Sequence, residues 1–196
     1  ANTTVVRAHP TLSGDEVPKA DYPVWSPVAA RLAFRTTDTL LSPAGIGQVF
    51  LTDPAARLGS GAYVTGLAWA PDGTSVFFTA GGDSYDLFRQ APGGPEQALT
   101  AGWQLASGPA PAPDGTRVAV AAMAALVPAD TNEALDVYVA STNGAPPVRI
   151  SLDGAGNPTQ WSVMNPAWSP DGRKVAMVAD GSELGQALLV KDLVTG

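Results

Sequence analysis

The sequence predicts an all-β fold: a single β-propeller of four blades, each a four-stranded antiparallel sheet. Three observations carry this. A short phrase recurs four times, as Tyr22-Pro-Val-Trp-Ser-Pro27, Gly66-Leu-Ala-Trp-Ala-Pro-Asp-Gly73, Gly108-Pro-Ala-Pro-Ala-Pro-Asp-Gly115 and Asn165-Pro-Ala-Trp-Ser-Pro-Asp-Gly172. Each copy is followed by a β-rich apolar run, at Arg31–Phe34, Ser75–Thr79, Arg117–Ala121 and Lys174–Val178. The punctuation is dense, with 21 Gly and 18 Pro in 196 residues and no sustained helical periodicity, which suits short strands joined by turns. Self-similarity at a period of tens of residues is the mark of a repeat architecture.

Within each unit four strands can be read in order. The first carries the Trp-Ser-Pro phrase, and the second follows the Pro-Asp-Gly turn. The third falls at Gln48–Thr52, Asp86–Gln90, Asp136–Ala140 and Ala187–Lys191, and the fourth near Arg57, Gln97–Thr100 and Val148–Ser151. One domain, 1–196, then divides into blades at about 20–60, 61–101, 102–151 and 160–196. The last unit runs out after its third strand. Thr3-Thr-Val-Val-Arg-Ala8 at the other end matches the missing fourth strand, because Val6-Arg7 stands before Pro27 much as Val148-Arg149 stands before Pro170. An N-terminal strand completing the last blade would close a ring and remove an exposed sheet edge. The alternative is a segment of a six- or seven-bladed ring.

Turn chemistry agrees with this reading, since Pro presets φ and Asp-Gly supplies the tolerant residues that follow. Pro27-Val-Ala-Ala30 departs from the pattern and predicts a looser first turn. Trp25, Trp69 and Trp168 hold one repeat position and are expected to pack between sheets, while Pro111 holds it in the third unit and predicts the weakest seam there.

These phrases resemble the TolB-type, WD-repeat-like propeller family, whose repeats read roughly Pro-x-Trp-Ser-Pro-Asp-Gly followed by Ile-Ala-Phe-like and Ile-Tyr-Val-like strands. The matching residues are Pro166–Gly172 with Val175-Ala-Met177, and Asp136-Val-Tyr-Val139. The segment Leu126-Val-Pro-Ala-Asp-Thr-Asn132 resembles a longer repeat variant of bacterial secreted proteins. The resemblance spans essentially the whole chain. It implies the propeller fold and a periplasmic or extracellular place in the bacterial envelope. It implies no single activity, because one fold hosts many functions: members act as scaffolds that bind proteins, as substrate-gating domains of peptidases and as polysaccharide lyases.

Composition excludes several classes. A net charge of −7 with 11 scattered Lys and Arg argues against nucleic-acid and anionic-membrane partners. With no Cys, disulfides and thiolate metal sites are ruled out. No stretch is apolar for the roughly 20 residues of a membrane helix, so no membrane insertion is expected. The single histidine, His9, has no companion for a zinc site or a nucleophile elbow for a triad.

The candidate site follows from loop lengths. The long connections are Pro10–Tyr22, Ala101–Gly108 and Leu152–Asn165 between blades, and Thr36–Gly47 and Ala122–Leu135 within them. In a propeller these share one face, and loops on a rigid scaffold are where binding resides. Trp103 and Trp161 lie there outside the repeated Trp position, either as interface anchors or as lids over the strand tops. A carboxylate follows the second strand of every repeat, at Asp38, Asp83, Asp130 and Asp180, either ringing a channel mouth or capping its own turn. Asp130, Asn132 and Asp136 form a weak Ca2+ candidate that lacks the central Gly of a calcium loop; no other cofactor is implied. The expectation is a non-catalytic binding or scaffold module recognising a protein or glycan partner through this face. The alternatives are a carboxylate-based lyase or hydrolase, or the gating domain of a larger protein.

Overall fold

A computed structural model describes residues 20–37, 47–53, 55–59, 63–182 and 185–195. The described residues form four antiparallel sheets and no helix, so none is long and apolar enough to cross a membrane. Sheet 1 comprises β1 (Ala20–Trp25), β2 (Leu32–Thr36), β3 (Gln48–Thr52) and β4 (Ala55–Leu58) in that order. Sheet 2 is β5 (Tyr63–Trp69), β6 (Val76–Gly81), β7 (Tyr85–Gln90) and β8 (Glu96–Ala98). Sheet 3 is β9 (Ala110–Pro111), β10 (Arg117–Ala122), β11 (Asp136–Ser141) and β12 (Val148–Arg149). Sheet 4 has three described strands, β13 (Ser162–Trp168), β14 (Lys174–Ser182) and β15 (Gly185–Asp192).

In sheets 2 and 3 the inner strands β6, β10 and β11 read as continuous apolar runs because both of their faces are covered. Along β6, Val76 and Phe78 face sheet 1, while Phe77 faces sheet 3, as the period of two requires. Three layers result. Leu51 and Leu58 meet Val64, Trp69 and Phe78; Phe77 and Leu87 meet Val118, Val120 and Tyr138; Ala121, Val139 and Ile150 meet Val163, Val175 and Met177.

The Pro-Asp-Gly turns are built alike. Asp72 Oδ1 accepts from the Thr74 N–H at 2.9 Å and Asp114 Oδ1 from the Thr116 N–H at 2.9 Å, with Gly73 and Gly115 at φ of 66° and 69°. A side chain would be strained at that φ. The first turn, without Asp-Gly, is a run of bends closed by Arg31 N–H to Ala29 O at 2.8 Å.

The seam at the third unit is not simply a gap left by Pro111. Gly66 and Gly108 bring their backbones so close that a Cβ on Gly66 would sit 2.4 Å from Gly108 Cα. Phe77 and Tyr138 fill the layer behind them. A notch of about 300 Å³ lies at the turn end of this seam, lined by Pro71, Arg89 and Pro113 among others.

Closure of four blades into a ring is corrected. Successive sheets pack on one another, but no substantial contact joins sheet 1 to sheet 4 among the described residues. Trp25 is 68% exposed and Leu188 71%. The outer faces of sheets 1 and 4 therefore lie open among the described residues. The strand expected at Thr3–Ala8 lies outside the described residues.

Candidate functional site

The loop face is best seen between sheets 3 and 4. The 123–135 connection leaves β10 and returns to β11, and the 152–161 connection leads into β13. The two are tied together: Asn132 Nδ2 donates to Thr159 O at 2.7 Å, and Val163 N–H donates to Leu135 O at 2.7 Å.

Beneath them lies a buried charged cluster. Arg149 on β12 places Nη1 3.3 Å from Asp130 Oδ1 and Nη2 2.7 Å from Asp136 Oδ1, all three side chains being almost wholly buried. Ser151 Oγ donates to Asp136 Oδ1 at 2.5 Å, and the Tyr138 phenol donates to Asp130 Oδ2. Burial, helped by that hydrogen bond, pushes the Tyr138 phenol well above its usual range. Burial also raises the Asp136 carboxyl, against the hydrogen bond from Ser151 and the charge of Arg149. Asp130 and Asp136 are thus brought together as expected of a cation site, and the cation between them is a guanidinium. Asn132 also faces Asp136 and works to lower its carboxyl, while its Nδ2 donates to Thr159 O at 2.7 Å and its Oδ1 accepts from Ala134 N–H at 3.1 Å. Among the described residues no group of three or more His, Cys, Asp or Glu side chains could hold a metal ion.

The other candidates disperse. Asp83 is exposed on the β6–β7 hairpin, and Asp180 is exposed on β14 opposite Gln186. Asp38 and His9 lie outside the described residues. Trp103 is half-buried against the second layer. Its loop is pinned by Asp86, which accepts from Thr100 Oγ1 at 2.8 Å, Gly102 N–H at 2.9 Å and Trp103 N–H at 3.0 Å. Trp161 is 40% exposed. On the same face, exposed Met123 borders an open cavity of about 560 Å³ with Ala125, Asp130, Thr131 and Glu133.

Sequence reasoning missed Arg149 as the centre of the cluster. A signal existed: Asp86 with Thr100 and Asp136 with Ser151 join the start of a third strand to the end of a fourth in successive repeats. That repetition marks Asp136 as a structural staple, and its neighbour Arg149 as the charge that balances it.

Compared by sequence, the chain matches no protein-family model and no curated relative. Compared by structure, it superposes on an Agrobacterium tumefaciens protein assigned as TolB with a TM-score of 0.67 and 19% identity, over 89% of this chain and 62% of that one. TolB from Acinetobacter baumannii gives a TM-score of 0.63 and 18% identity over 91% and 42% of the two chains. The fold is TolB-like. A puromycin-hydrolyzing peptidase of Mycobacterium tuberculosis also superposes, with a TM-score of 0.63 and 16% identity, over 94% of this chain and 28% of that one. The chain therefore spans less than two thirds of the TolB structures it matches, and at these identities the likeness concerns the fold alone.

Proposed function

We propose that this chain is a non-catalytic binding module of the bacterial envelope that grips a protein partner with the loop face over sheets 3 and 4. The observation that carries the reading is the pairing on that face of exposed Trp161 and exposed Met123 with the open cavity at Thr131 and Glu133. Exposed aromatic and Met side chains beside a polar rim are the ingredients of a protein interface. The buried ionisable groups below pair with one another and hold the loop in place. The envelope location rests on the likeness to TolB structures and on the secreted-type repeat phrase Leu126–Asn132.

The test is affinity capture from native envelope extract with the wild type and Trp161→Ala, with Trp103→Ala as the comparison. Equal melting temperatures of wild type and Trp161→Ala are required. Loss of the captured partner in Trp161→Ala, and its retention in a folded Trp103→Ala, is the expected result. A partner retained by Trp161→Ala would remove this face from the reading.

A further inference from the structure

The hairpin that joins β11 to β12 carries the one asparagine of this chain that precedes a glycine, Asn143-Gly144. Of the other four, Asn157 and Asn165 precede proline, which has no backbone N–H, Asn2 precedes Thr3 and Asn132 precedes Glu133. Asn143 and Gly144 are both exposed, and Gly144 stands at a φ of 84°. The Asn143 amide is gripped by its oxygen. The Ser141 hydroxyl donates to Oδ1 at 2.6 Å, and the Ala145 N–H donates to it at 3.2 Å. Two donors on one carbonyl oxygen stabilise the negative charge that builds there when a nucleophile adds to the carbon.

The nucleophile is the next backbone nitrogen. In the Pro-Asp-Gly turns that nitrogen is firmly engaged: Gly73 N–H donates to Ala70 O at 2.8 Å, Gly115 N–H to Ala112 O at 2.9 Å and Gly172 N–H to Ser169 O at 2.9 Å. Gly144 N–H reaches Ser141 O only at 3.4 Å. The surroundings differ in the same sense. A Cβ on Gly73 would sit 2.2 Å from Val28, and one on Gly172 3.6 Å from Pro113, whereas one on Gly144 would meet nothing within 4 Å. Pro71, Pro113 and Pro170 stiffen the Asp-Gly turns, while Thr142 stands in the corresponding place here. The side chains of those turns are also carboxylates, whose charge repels an incoming electron pair.

We propose that Asn143 is a self-modification site, at which the Gly144 nitrogen attacks Asn143 Cγ and the turn converts itself to aspartate and isoaspartate. The Gly144 nitrogen gives up its proton as it bonds to Cγ. The bond from Cγ to Nδ2 breaks, and that nitrogen leaves with the proton as ammonia, closing a five-membered succinimide ring. Water then adds to one of the two ring carbonyls and reopens it. The carboxylate is left on the side chain, or in isoaspartate on the α-carbon, with the main chain running through Cβ. Holding both reacting groups in one short turn makes the first step intramolecular. Aspartate rebuilds an Asp-Gly turn of the kind formed at Asp72. Isoaspartate instead adds a methylene to the main chain ahead of Val148 and Arg149, which pair with Val139 and Tyr138. Arg149 holds the 123–135 connection through Asp130, so isoaspartate slackens the loop face from outside it.

Incubation of the folded protein at mildly alkaline pH, followed by peptide mapping with mass spectrometry, tests this with the wild type, Asn143→Gln, Asn143→Asp and Ser141→Ala. Melting temperatures check that each variant is folded at the start. The wild type is expected to gain about one dalton, confined to Asn143, with isoaspartate told from aspartate by retention time and by enzymatic methylation. Asn143→Gln should gain nothing over the same period. Ser141→Ala, which loses one donor to Oδ1, should react about fivefold more slowly. Asn143→Asp should melt with the wild type, and the isolated isoaspartyl fraction about 2–4 °C lower. No mass gain at Asn143 in the folded protein, or a gain as fast at Asn132, overturns the proposal. A rate in Ser141→Ala equal to or above that of the wild type overturns the part assigned to the turn. An isoaspartyl fraction that melts with the wild type overturns the link to Arg149.

Discussion

Arg149 reaches back from β12 to Asp130, its Nη1 lying 3.3 Å from the carboxylate, and so anchors a loop that leaves the sheet two strands earlier. The same guanidinium faces Asp136, which makes one buried cation the partner of two buried carboxylates. Such an arrangement tolerates the loss of a member poorly, since breaking a buried pair strands a charge away from water.

Arg149→Ala is therefore expected to destabilise the fold by about 3–5 kcal/mol at neutral pH. The sign of its pH dependence is fixed too. The Asp136 carboxyl is already raised by burial, and removing Arg149 raises it further. A carboxyl raised in the folded state contributes stability that is present below its unfolded pKa of about 4 and lost as pH rises through the folded value. The variant should thus recover part of its deficit on acidification. Urea denaturation of both proteins at neutral and mildly acidic pH measures this, and a constant difference between them would count against the cluster as described.

Trp25 and Trp69 share a repeat position and are expected to differ sharply in what they contribute. Trp69 is buried, hydrogen-bonded across the seam and covered by Arg31. Its replacement by Ala should cost about 3–5 kcal/mol. Trp25→Ala, at an exposed position, should cost no more than about 0.5 kcal/mol in dilute, monomeric protein. Equal losses in chemical denaturation would mean that Trp25 is buried by its own chain.

That contrast shows how far the sequence could be read. The strands, the Asp-Gly turns and the packing role of Trp69 and Trp168 follow from local rules repeated along the chain: a period of two, an Asp-Gly turn in three of the repeats, and a Trp two residues before a Pro in three of them. Trp25 reads the same as Trp69, yet its environment depends on a neighbouring sheet that local pattern cannot supply. The seam at Pro111 is predicted the weakest because a missing Trp is visible in one repeat. Its replacement by Phe77, Tyr138 and the Gly66–Gly108 approach is spread over two repeats. The carboxylates after each second strand share a sequence position but not a fate: Asp83 and Asp180 face solvent, while Asp130 turns inward because Arg149 is there to meet it.

The turn aspartates contribute to the acid limb of stability. In Asp72 the backbone hydrogen bond from Thr74 holds the carboxyl below its usual range. In Asp114 slight burial pulls upward, but the hydrogen bonds from Thr116 and the neighbouring Arg117 outweigh it and leave the carboxyl lowered. In Asp171 the Ser169 hydroxyl and the Arg173 N–H have the same lowering effect. A carboxyl lowered in the folded state contributes stability that is present above its unfolded pKa of about 3.9 and lost as pH falls through the folded value. Stability should therefore fall steeply below about pH 4. Asp72→Asn and Asp114→Asn keep the oxygen that accepts the turn hydrogen bond but remove the titration. Combined, they should flatten the fall in melting temperature between about pH 4 and pH 2, at little cost at neutral pH. An acid limb as steep in the double variant as in the wild type would shift the origin of acid sensitivity to carboxylates outside these turns.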